Sequence, residues 1–260
     1  MNKCENIRQR FSAAATTYSQ EAVIQEKVSQ QLIKLMEDSG KQPLEILELG
    51  CGTGLLTRKL SKLYPKAHIT AVDISEKMIM QAQQECASCK RIKWIIADAV
   101  EYTCASRFDI IASSSALHWM QPIRKTFSKS FNHLKKNGAV YFGMMTKETL
   151  KELHSARKAV IPGKLPKKSL PSARSVIKAI ESCGFSKIET MTDTETLLYK
   201  DMRSLLNSLH NLGVTGGSIS GNGTLLTPLE IKALMQYMDS QYGRYNIPAT
   251  YEILYLTAIK

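Results

Sequence analysis

Short apolar segments alternate with stretches of helical periodicity across the first half of the chain. Helical patterns at 54–63, 75–87 and 121–136 lie among the apolar segments, which read LEILELG, HITAVD, IKWIIAD, FDIIASSS and AVYFGMM. This alternation is typical of a parallel sheet that is covered by helices on both faces. We therefore predict an α/β fold built on a doubly wound sheet.

The remaining sequence extends this core on both sides. Residues 1–39 have the periodicity of an amphipathic helix, which we expect to end at Gly40 and Pro43. Beyond a proline-rich loop at 160–174, we expect further elements on both sides of a flexible, glycine-rich segment, VTGGSISGNGT. These are a helix over 174–184, a strand over 186–199, a helix capped by Asp201 and ended by Gly213, and, after the glycines, a helix opened by Thr227-Pro228 and a closing strand, TYEILYLTAIK. We expect a single domain over 1–260, with a helical lid (1–40), a cofactor-binding core (41–145) and substrate-side helices and strands (146–260).

The chain carries a strong positive charge. Its 260 residues include 35 Lys and Arg against 23 Asp and Glu, a formal net charge of +12. A positive field raises the encounter rate with anions, so a nucleic acid, an acidic protein or a small polyanion is the expected class of partner. No run of about 18 apolar residues and no secretory signal is evident, which favours a cytoplasmic protein without a membrane partner.

The six cysteines do not form a recognisable disulfide framework, and free thiols in a reducing compartment are the simple interpretation. Cys86 and Cys89 form a lone CxxC pair, and no further ligands lie at the spacing of a zinc site. We therefore expect no metal.

Three glycines follow the first predicted strand. Gly50, Gly52 and Gly54 occupy the turn before a helix, where ligands of parallel sheets bind. Asp73 ends the second predicted strand, 19 residues beyond Gly54, where a carboxylate accepts the hydroxyl groups of a ribose. Asp98 ends the third, where a carboxylate or neighbouring backbone accepts an adenine amino group. Together these positions predict a nucleoside site.

The glycine spacing favours a cationic nucleoside. A dinucleotide loop reads GxGxxG beside a pyrophosphate, whereas here the third glycine comes one residue early and Glu48 precedes the loop. S-adenosylmethionine, with its sulfonium and ammonium groups, fits a carboxylate at this position. Over about 44–145, the run ELGCGTG followed by Asp73 resembles the class I S-adenosylmethionine-dependent methyltransferases.

This resemblance implies a Rossmann-like methyltransferase fold, with a mostly parallel seven-stranded sheet, an N-terminal helical lid and a helical insertion before the last strand. It also implies that Glu48 and the loop hold the methionine end of the cofactor, and that Ser114 lies near the sulfonium. The implied cofactor-binding set is Glu48, Gly50, Cys51, Gly52, Gly54, Asp73 and Ile74 (ribose), Met78 (beside the base), Asp98 and Ala99 (adenine), and Ser114.

Segments outside the core resemble a narrower family. RFSAAATTYSQEAVIQ is similar to the opening of the malonyl-[acyl-carrier protein] O-methyltransferases of biotin synthesis, and SSSALHWM matches a family segment in which His118 stands where the family has Gln. ETLKELHSA, SLHNLGVTG, LLTPLEI and GRYNIPATYEILYLTAIK follow the family's later pattern. The resemblance implies methylation of the malonyl carboxylate, giving an ester that fatty-acid synthesis elongates toward biotin.

An acyl carrier protein is acidic, which fits the positive charge of the chain. A carboxylate acceptor is itself a nucleophile and needs no general base. Its charge must be balanced when it is buried, so a cationic or hydroxyl donor is expected beside it. The catalytic candidates are Tyr18, His118 and Trp119. The substrate and carrier candidates are Tyr18, Arg124, Lys125, Lys164, Lys167, Lys168, Arg174 and Arg244.

Three other functions are compatible with parts of this pattern. A carboxyl methyltransferase of a small acid, similar to the trans-aconitate enzymes, needs no carrier surface. An RNA methyltransferase would use the positive charge, but neither an appended RNA-binding module nor interleaved aromatic and basic residues are present. A protein that binds the cofactor without catalysis is the third alternative. We expect no nucleic-acid partner.

Overall fold

The computed structural model describes residues 3–165, 169–214, 226–243 and 245–260. Its helices are α1 (Lys3–Ala14), α2 (Tyr18–Glu21), α3 (Val23–Asp38), α4 (Leu55–Leu63), α5 (Glu76–Glu85), α6 (Ile123–His133), α7 (Lys151–Val160), α8 (Ala173–Glu181), α9 (Met202–Asn211) and α10 (Pro228–Tyr242). Its strands are β1 (Glu45–Leu49), β2 (His68–Asp73), β3 (Ile92–Ile96), β4 (Phe108–Ser114), β5 (Leu134–Met145), β6 (Ser186–Tyr199) and β7 (Ile247–Ile259). Short 3-10 helices cover Leu117–Trp119 and Pro162–Lys164.

Within the described residues, seven strands form one sheet in the order β3-β2-β1-β4-β5-β7-β6. The first five strands are parallel to one another, and β7 runs antiparallel to both β5 and β6. The order reverses between β1 and β4, so the sheet has a switch point where ligands of such folds bind. This confirms the predicted doubly wound, mostly parallel methyltransferase fold.

Helices cover both faces of the sheet. Ile110 belongs to a buried cluster with side chains of α3 and α4, whereas its neighbour Ile111 belongs to a second cluster with side chains of α6 and α8. Successive strand residues point to opposite faces, so both faces are buried and the strands read as continuous apolar runs. The helices α9 and α10 lie between β6 and β7 in sequence, as expected for an insertion before the last strand.

The N-terminal segment differs from its prediction. Residues 1–39 were expected to form one helix, but the chain turns after Ala14 and again at Ala22, which gives three helices. The Thr17 hydroxyl donates to the carbonyl oxygens of Ala14 (3.1 Å) and Asn211 (2.9 Å). Such side-chain hydrogen bonds compete with helical ones, and they end α1 there.

Several smaller expectations changed, were confirmed or remain open. The third strand ends at Ile96, so Asp98 lies two residues beyond it. Helix α7 was not predicted, and the predicted helix at 174–184 ends at Glu181. The Asp201 cap and the Thr227-Pro228 opening are present. The segment 215–224 of the glycine-rich loop lies outside the described residues, and the division into lid, core and substrate-side parts stays a prediction.

Candidate active site

The three glycines of the turn after β1 have two different surroundings: two pack against neighbouring side chains and one faces open space. Gly50, Gly52 and Gly54 have φ angles of +70°, +54° and +84°, a region that favours glycine. A Cβ on Gly50 would lie 2.4 Å from the Ala116 Cβ, and one on Gly54 would lie 2.9 Å from the Cys86 Sγ, whereas one on Gly52 would meet no atom within 4 Å. Gly50 and Gly54 therefore permit close internal packing, and Gly52 is the one of the three at which a Cβ would enter open space.

Two buried carboxyl groups flank this turn. Asp73 accepts hydrogen bonds from the backbone N–H groups of Gly52 (2.9 Å) and Ser75 (2.8 Å). Burial raises its pKa, although these hydrogen bonds oppose the shift. Glu48 is 1% exposed and accepts a hydrogen bond from the Thr57 hydroxyl (2.6 Å). Burial raises the pKa of Glu48 to about 8, so a nearby cation would favour its ionised form.

A cavity of about 380 Å³ opens at the carboxyl ends of β1, β2 and β4, within the size range of small-molecule sites. Among the described residues, every lysine and arginine is absent from its lining, and its charged side chains are Glu48, Asp73, Asp98 and Glu101. This acidic lining suits a cation and disfavours a diphosphate. The predicted residues brought together here are Tyr18, Glu48, Gly50, Cys51, Gly52, Asp73, Ile74, Met78, Asp98, Ala99, Ser114 and Trp119.

Helix α1 covers this cavity. Cys4, Ile7 and Phe11 line it, and the Cys4 thiol donates to the Asp98 carboxylate (3.0 Å). The Phe11 ring makes edge-to-face contacts with Tyr18 (6.4 Å between centroids) and Trp119 (5.5 Å). Farther along, the Ser19 hydroxyl donates to Thr53 (2.9 Å). The first helices are therefore joined to the glycine turn and to Asp98 by specific contacts.

Two residues of the predicted cofactor-binding and catalytic sets do not line the main cavity. Gly54 packs against α5 instead. His118 is 6% exposed and lines a smaller, adjoining cavity of about 20 Å³. Burial lowers the pKa of His118 to about 3, so the imidazole is neutral at physiological pH. The sequence predicts a cationic or hydroxyl donor beside the acceptor carboxylate, and His118 is not a cationic one.

The basic residues predicted at the substrate lie elsewhere. Arg124 and Lys125 are exposed on α6, where Arg124 donates to Ser182 (3.1 Å) and Lys125 pairs with Glu101 (2.5 Å). Lys164 pairs with Glu230 (2.8 Å), and Arg174 is exposed on α8. Lys167, Lys168 and Arg244 lie outside the described residues. Arg174 lines neither of the cavities described, and its contact with the acceptor carboxylate stays a prediction.

Within the described ranges, neither a metal-binding cluster nor a membrane-spanning helix is present. No group of three or more His, Cys, Asp or Glu side chains there is arranged to hold a metal ion. None of the helices in these ranges is both long and apolar enough to cross a bilayer.

Comparison with known proteins places the chain in a family. A family model described as a methyltransferase domain matches residues 46–138. The malonyl-[acyl-carrier protein] O-methyltransferase of Bacillus cereus is 28% identical, over 98% of this chain and 96% of the relative. That of Anoxybacillus flavithermus is 30% identical, over 96% of this chain and 95% of the relative. The chain belongs to the malonyl-[acyl-carrier protein] O-methyltransferase family. It is therefore an S-adenosylmethionine-dependent methyltransferase.

Solved structures share the fold of this methyltransferase. The magnesium protoporphyrin IX methyltransferase of Synechocystis PCC 6803 with bound SAH superposes with a TM-score of 0.65 at 14% identity, covering 100% of both chains. A putative methyltransferase from Bacillus halodurans C-125 gives a TM-score of 0.62 at 16% identity, covering 89% of this chain and 99% of the other. At such identities the likeness supports the fold alone.

Sequence reasoning missed part of the cavity lining of this methyltransferase. Phe11 and Gln25 lie in the segment RFSAAATTYSQEAVIQ but are not among the predicted site residues, and neither is Ser115. Gln25 is a polar residue, 7% exposed, on the buried side of α3, where all the other buried residues except Ser29 are apolar. That break in the apolar periodicity was the signal that could have identified it. Ser115 has φ +55°, which the sequence alone does not reveal.

Proposed function

We propose that this enzyme transfers the methyl group of S-adenosylmethionine to the free carboxylate of a malonyl group carried by an acyl carrier protein. The observation that carries the proposal is the charge of the main cavity, which presents Glu48 and Asp73 beside the open position at Gly52 and contains no cation among its described lining residues. The identity of the acceptor is supported by the names of the relatives, which align over nearly the full chain.

The residues present fit this cofactor. Glu48 would accept from its ammonium group, and Asp73, whose carboxylate oxygens have acceptor capacity beyond two backbone hydrogen bonds, would hold the ribose hydroxyls. Ile74 and Met78 would flank the base, Asp98 and Ala99 would meet the adenine, and Ser114 would lie near the sulfonium. When bound, the cofactor would supply an electrophilic methyl group. A carboxylate oxygen of the acceptor would form the new C–O bond while the C–S bond breaks, and the electron pair of the C–S bond would remain on sulfur.

The protein contributes alignment and exclusion of water rather than acid–base chemistry. A carboxylate already carries the required electron pair, so no proton moves in the transfer. Tyr18 and Trp119 would wall the reacting region, with Phe11 of α1 packed on both rings. The acyl carrier protein would dock on the basic surface that includes Arg124 and Lys125. The ester masks a charge that the apolar pocket of an elongation enzyme would reject. This is consistent with a role in the synthesis of a biotin precursor.

A methylation assay with matched acceptors tests this function. The acceptors are malonyl-acyl carrier protein, malonyl-CoA, malonyl-N-acetylcysteamine and free malonate and aconitate, each with labelled S-adenosylmethionine. We expect the highest kcat/KM with the carrier-linked malonyl group and a base-labile methyl ester as product. A preference for a free tricarboxylate would replace this proposal with a small-acid methyltransferase. Restoration of growth in a biotin-requiring bacterial strain is the corresponding test in cells.

A further inference from the structure

A small annex adjoins the main cavity on the side away from the glycine turn. It has a volume of about 20 Å³, room for one or two water-sized atoms. Phe11, Tyr18, Gln25, Ser115 and Trp119 line both spaces, so the two are contiguous. The other residues that line the annex are His118, Met145, Thr149, Leu209, Leu212, Val214 and Tyr251.

Unpaired polar atoms are concentrated at this annex. Five buried side-chain atoms in the described part of the chain lack a hydrogen-bond partner, and three of them are Gln25 Oε1, Ser115 Oγ and His118 Nδ1. These three side chains are 7%, 8% and 6% exposed. A buried polar group without a partner destabilises the fold, because it has lost its hydrogen bonds to water. The three residues line one space from α3, from the end of β4 and from the 3-10 helix that follows. Their unpaired polar atoms therefore indicate a polar ligand there.

The annex is polar without being charged. No lysine or arginine among the described residues lines it, and His118 is neutral because burial lowers its pKa to about 3. Its remaining walls include the apolar side chains of Leu209, Leu212 and Val214. A single carboxylate can be held by neutral donors when a cation lies in the adjoining space, but a second carboxylate would be buried without compensation.

We propose that Gln25, Ser115 and His118 form the acceptor subsite, which holds one carboxylate at the end of a short, otherwise uncharged chain and excludes acids with a second free carboxylate. The inference rests on the proposed function and deepens it. The unpaired Gln25 atom is the amide oxygen, which can only accept. A half-turn of the amide, which exchanges two groups of similar size, presents Nε2 to the annex. Gln25 Nε2, the Ser115 hydroxyl and the N–H tautomer of His118 then donate to the carboxylate end of the acceptor. One oxygen of that carboxylate remains free to attack in the main cavity. A malonyl thioester fits this description, whereas free malonate and aconitate do not.

Substitutions of Gln25 test the subsite separately from the cofactor site. Gln25→Leu removes the donor, and Gln25→Glu places a like charge beside the acceptor. We expect the KM for malonyl-N-acetylcysteamine to rise about tenfold in the first and more in the second, with the Kd for S-adenosylhomocysteine unchanged within about threefold. Gln30→Glu makes the same charge change at an exposed position of α3 and should behave as wild type.

His118 and direct binding supply independent readouts. His118→Phe should raise the same KM, and His118→Gln, which restores an N–H donor, should recover most of the loss. Malonyl-N-acetylcysteamine binding to the complex with S-adenosylhomocysteine, measured by calorimetry, reports on the subsite without turnover. Undetectable binding by wild type at millimolar concentration would overturn the subsite, and so would Gln25 variants that weaken only S-adenosylhomocysteine.

The outcomes also separate this inference from the proposed function. If wild type methylates a different single-carboxylate thioester, and the Gln25 variants raise the KM for that substrate, the malonyl assignment fails and the subsite stands. Efficient methylation of free malonate or aconitate refutes the claim that a second carboxylate is excluded.

Discussion

Gly52 is the residue at which the glycine turn meets its ligand. It borders open space, whereas Gly50 and Gly54 pack against Ala116 and Cys86. The loop thus combines two purposes that look identical in the sequence. Both Gly50 and Gly52 line the cavity, but only at Gly52 can a Cβ be added without disturbing internal packing.

Gly52→Ala should therefore abolish tight cofactor binding, and Gly40→Ala provides a matched control. Both glycines have positive φ angles, +54° and +64°, and a Cβ on either meets no atom within 4 Å. Each substitution should lower the free energy of unfolding by about 1–2 kcal/mol because of the left-handed backbone. Calorimetry should give a Kd for S-adenosylhomocysteine at least about tenfold higher for Gly52→Ala only. Equal affinities in the two variants would place the cofactor elsewhere.

Ionisation of Glu48 should make cofactor affinity depend on pH. Burial raises its pKa to about 8, so the carboxyl group is mostly protonated at neutral pH in the ligand-free protein. A cationic amino group favours the carboxylate, and binding therefore releases a proton. The affinity for S-adenosylhomocysteine should rise as pH increases toward 8, by up to about tenfold per pH unit. Calorimetry across this range measures the slope, and Glu48→Gln should flatten it.

The same group makes an opposite contribution to stability. Its folded-state pKa lies above the ordinary value of 4.5, so the folded ligand-free protein binds this proton more tightly than the unfolded chain does. Its contribution is fully present below pH 4.5 and is lost as pH rises through about 8. The difference in unfolding free energy between wild type and Glu48→Gln should therefore change in favour of the variant over this interval. A constant difference would contradict the raised pKa.

At the level of elements, α1 acts on a site that is formed by distant strands. Ser12 and Ser75 hydroxyls lie 2.8 Å apart, and Cys4 donates to Asp98. These contacts, together with the Phe11 ring, place α1 over the cavity. Because they link residues more than 60 positions apart, their loss should affect ligand retention more than it affects the sheet.

Phe11→Ala should loosen this cover. Each edge-to-face ring contact contributes about 0.5–1.5 kcal/mol, so loss of the contacts with Tyr18 and Trp119 should raise the Kd for S-adenosylhomocysteine about tenfold, mainly through faster dissociation. Stopped-flow fluorescence of Trp119 measures that rate. Arg8→Ala, on an exposed position of the same helix, should leave it unchanged. Equal dissociation rates for wild type and Phe11→Ala would mean that α1 does not cover the bound cofactor.

The sequence predicted the sheet better than it predicted this cover. Apolar runs bounded by turn residues determine β1, β2, β4 and β5 locally, because both faces of those strands are buried. The division of residues 1–39 into three helices depends on contacts with Asn211, Ser75 and Thr53, which no local periodicity encodes. Likewise, the positions of Asp73 and Glu48 follow from strand ends, whereas the convergence of Gln25, Ser115 and His118 requires three elements to be packed together.

At the level of the whole molecule, the candidate site lies at the carboxyl edge of the parallel strands and not at their amino edge. The cavity, the annex and the turn after β4 all lie at the carboxyl edge, with Arg124 and Lys125 beginning α6 beside them. Lys62, in the last turn of α4, and Lys66, before β2, lie at the opposite edge. Basic residues therefore lie at both edges, and the net charge of +12 alone does not identify a docking surface. Position relative to the cavity does.

Charge reversal at the two edges tests whether α6 receives the carrier. The double variant Arg124→Glu, Lys125→Glu should raise the KM for malonyl-acyl carrier protein about tenfold at low salt, through a slower association rate. The effect should shrink as salt shortens the Debye length from about 10 Å at 0.1 M to about 3 Å at 1 M. Lys62→Glu, Lys66→Glu changes the net charge equally and should have a much smaller effect. Malonyl-N-acetylcysteamine, which has no carrier, should show similar KM values in all three proteins. If both double variants raise the carrier KM equally, docking depends on net charge and not on α6.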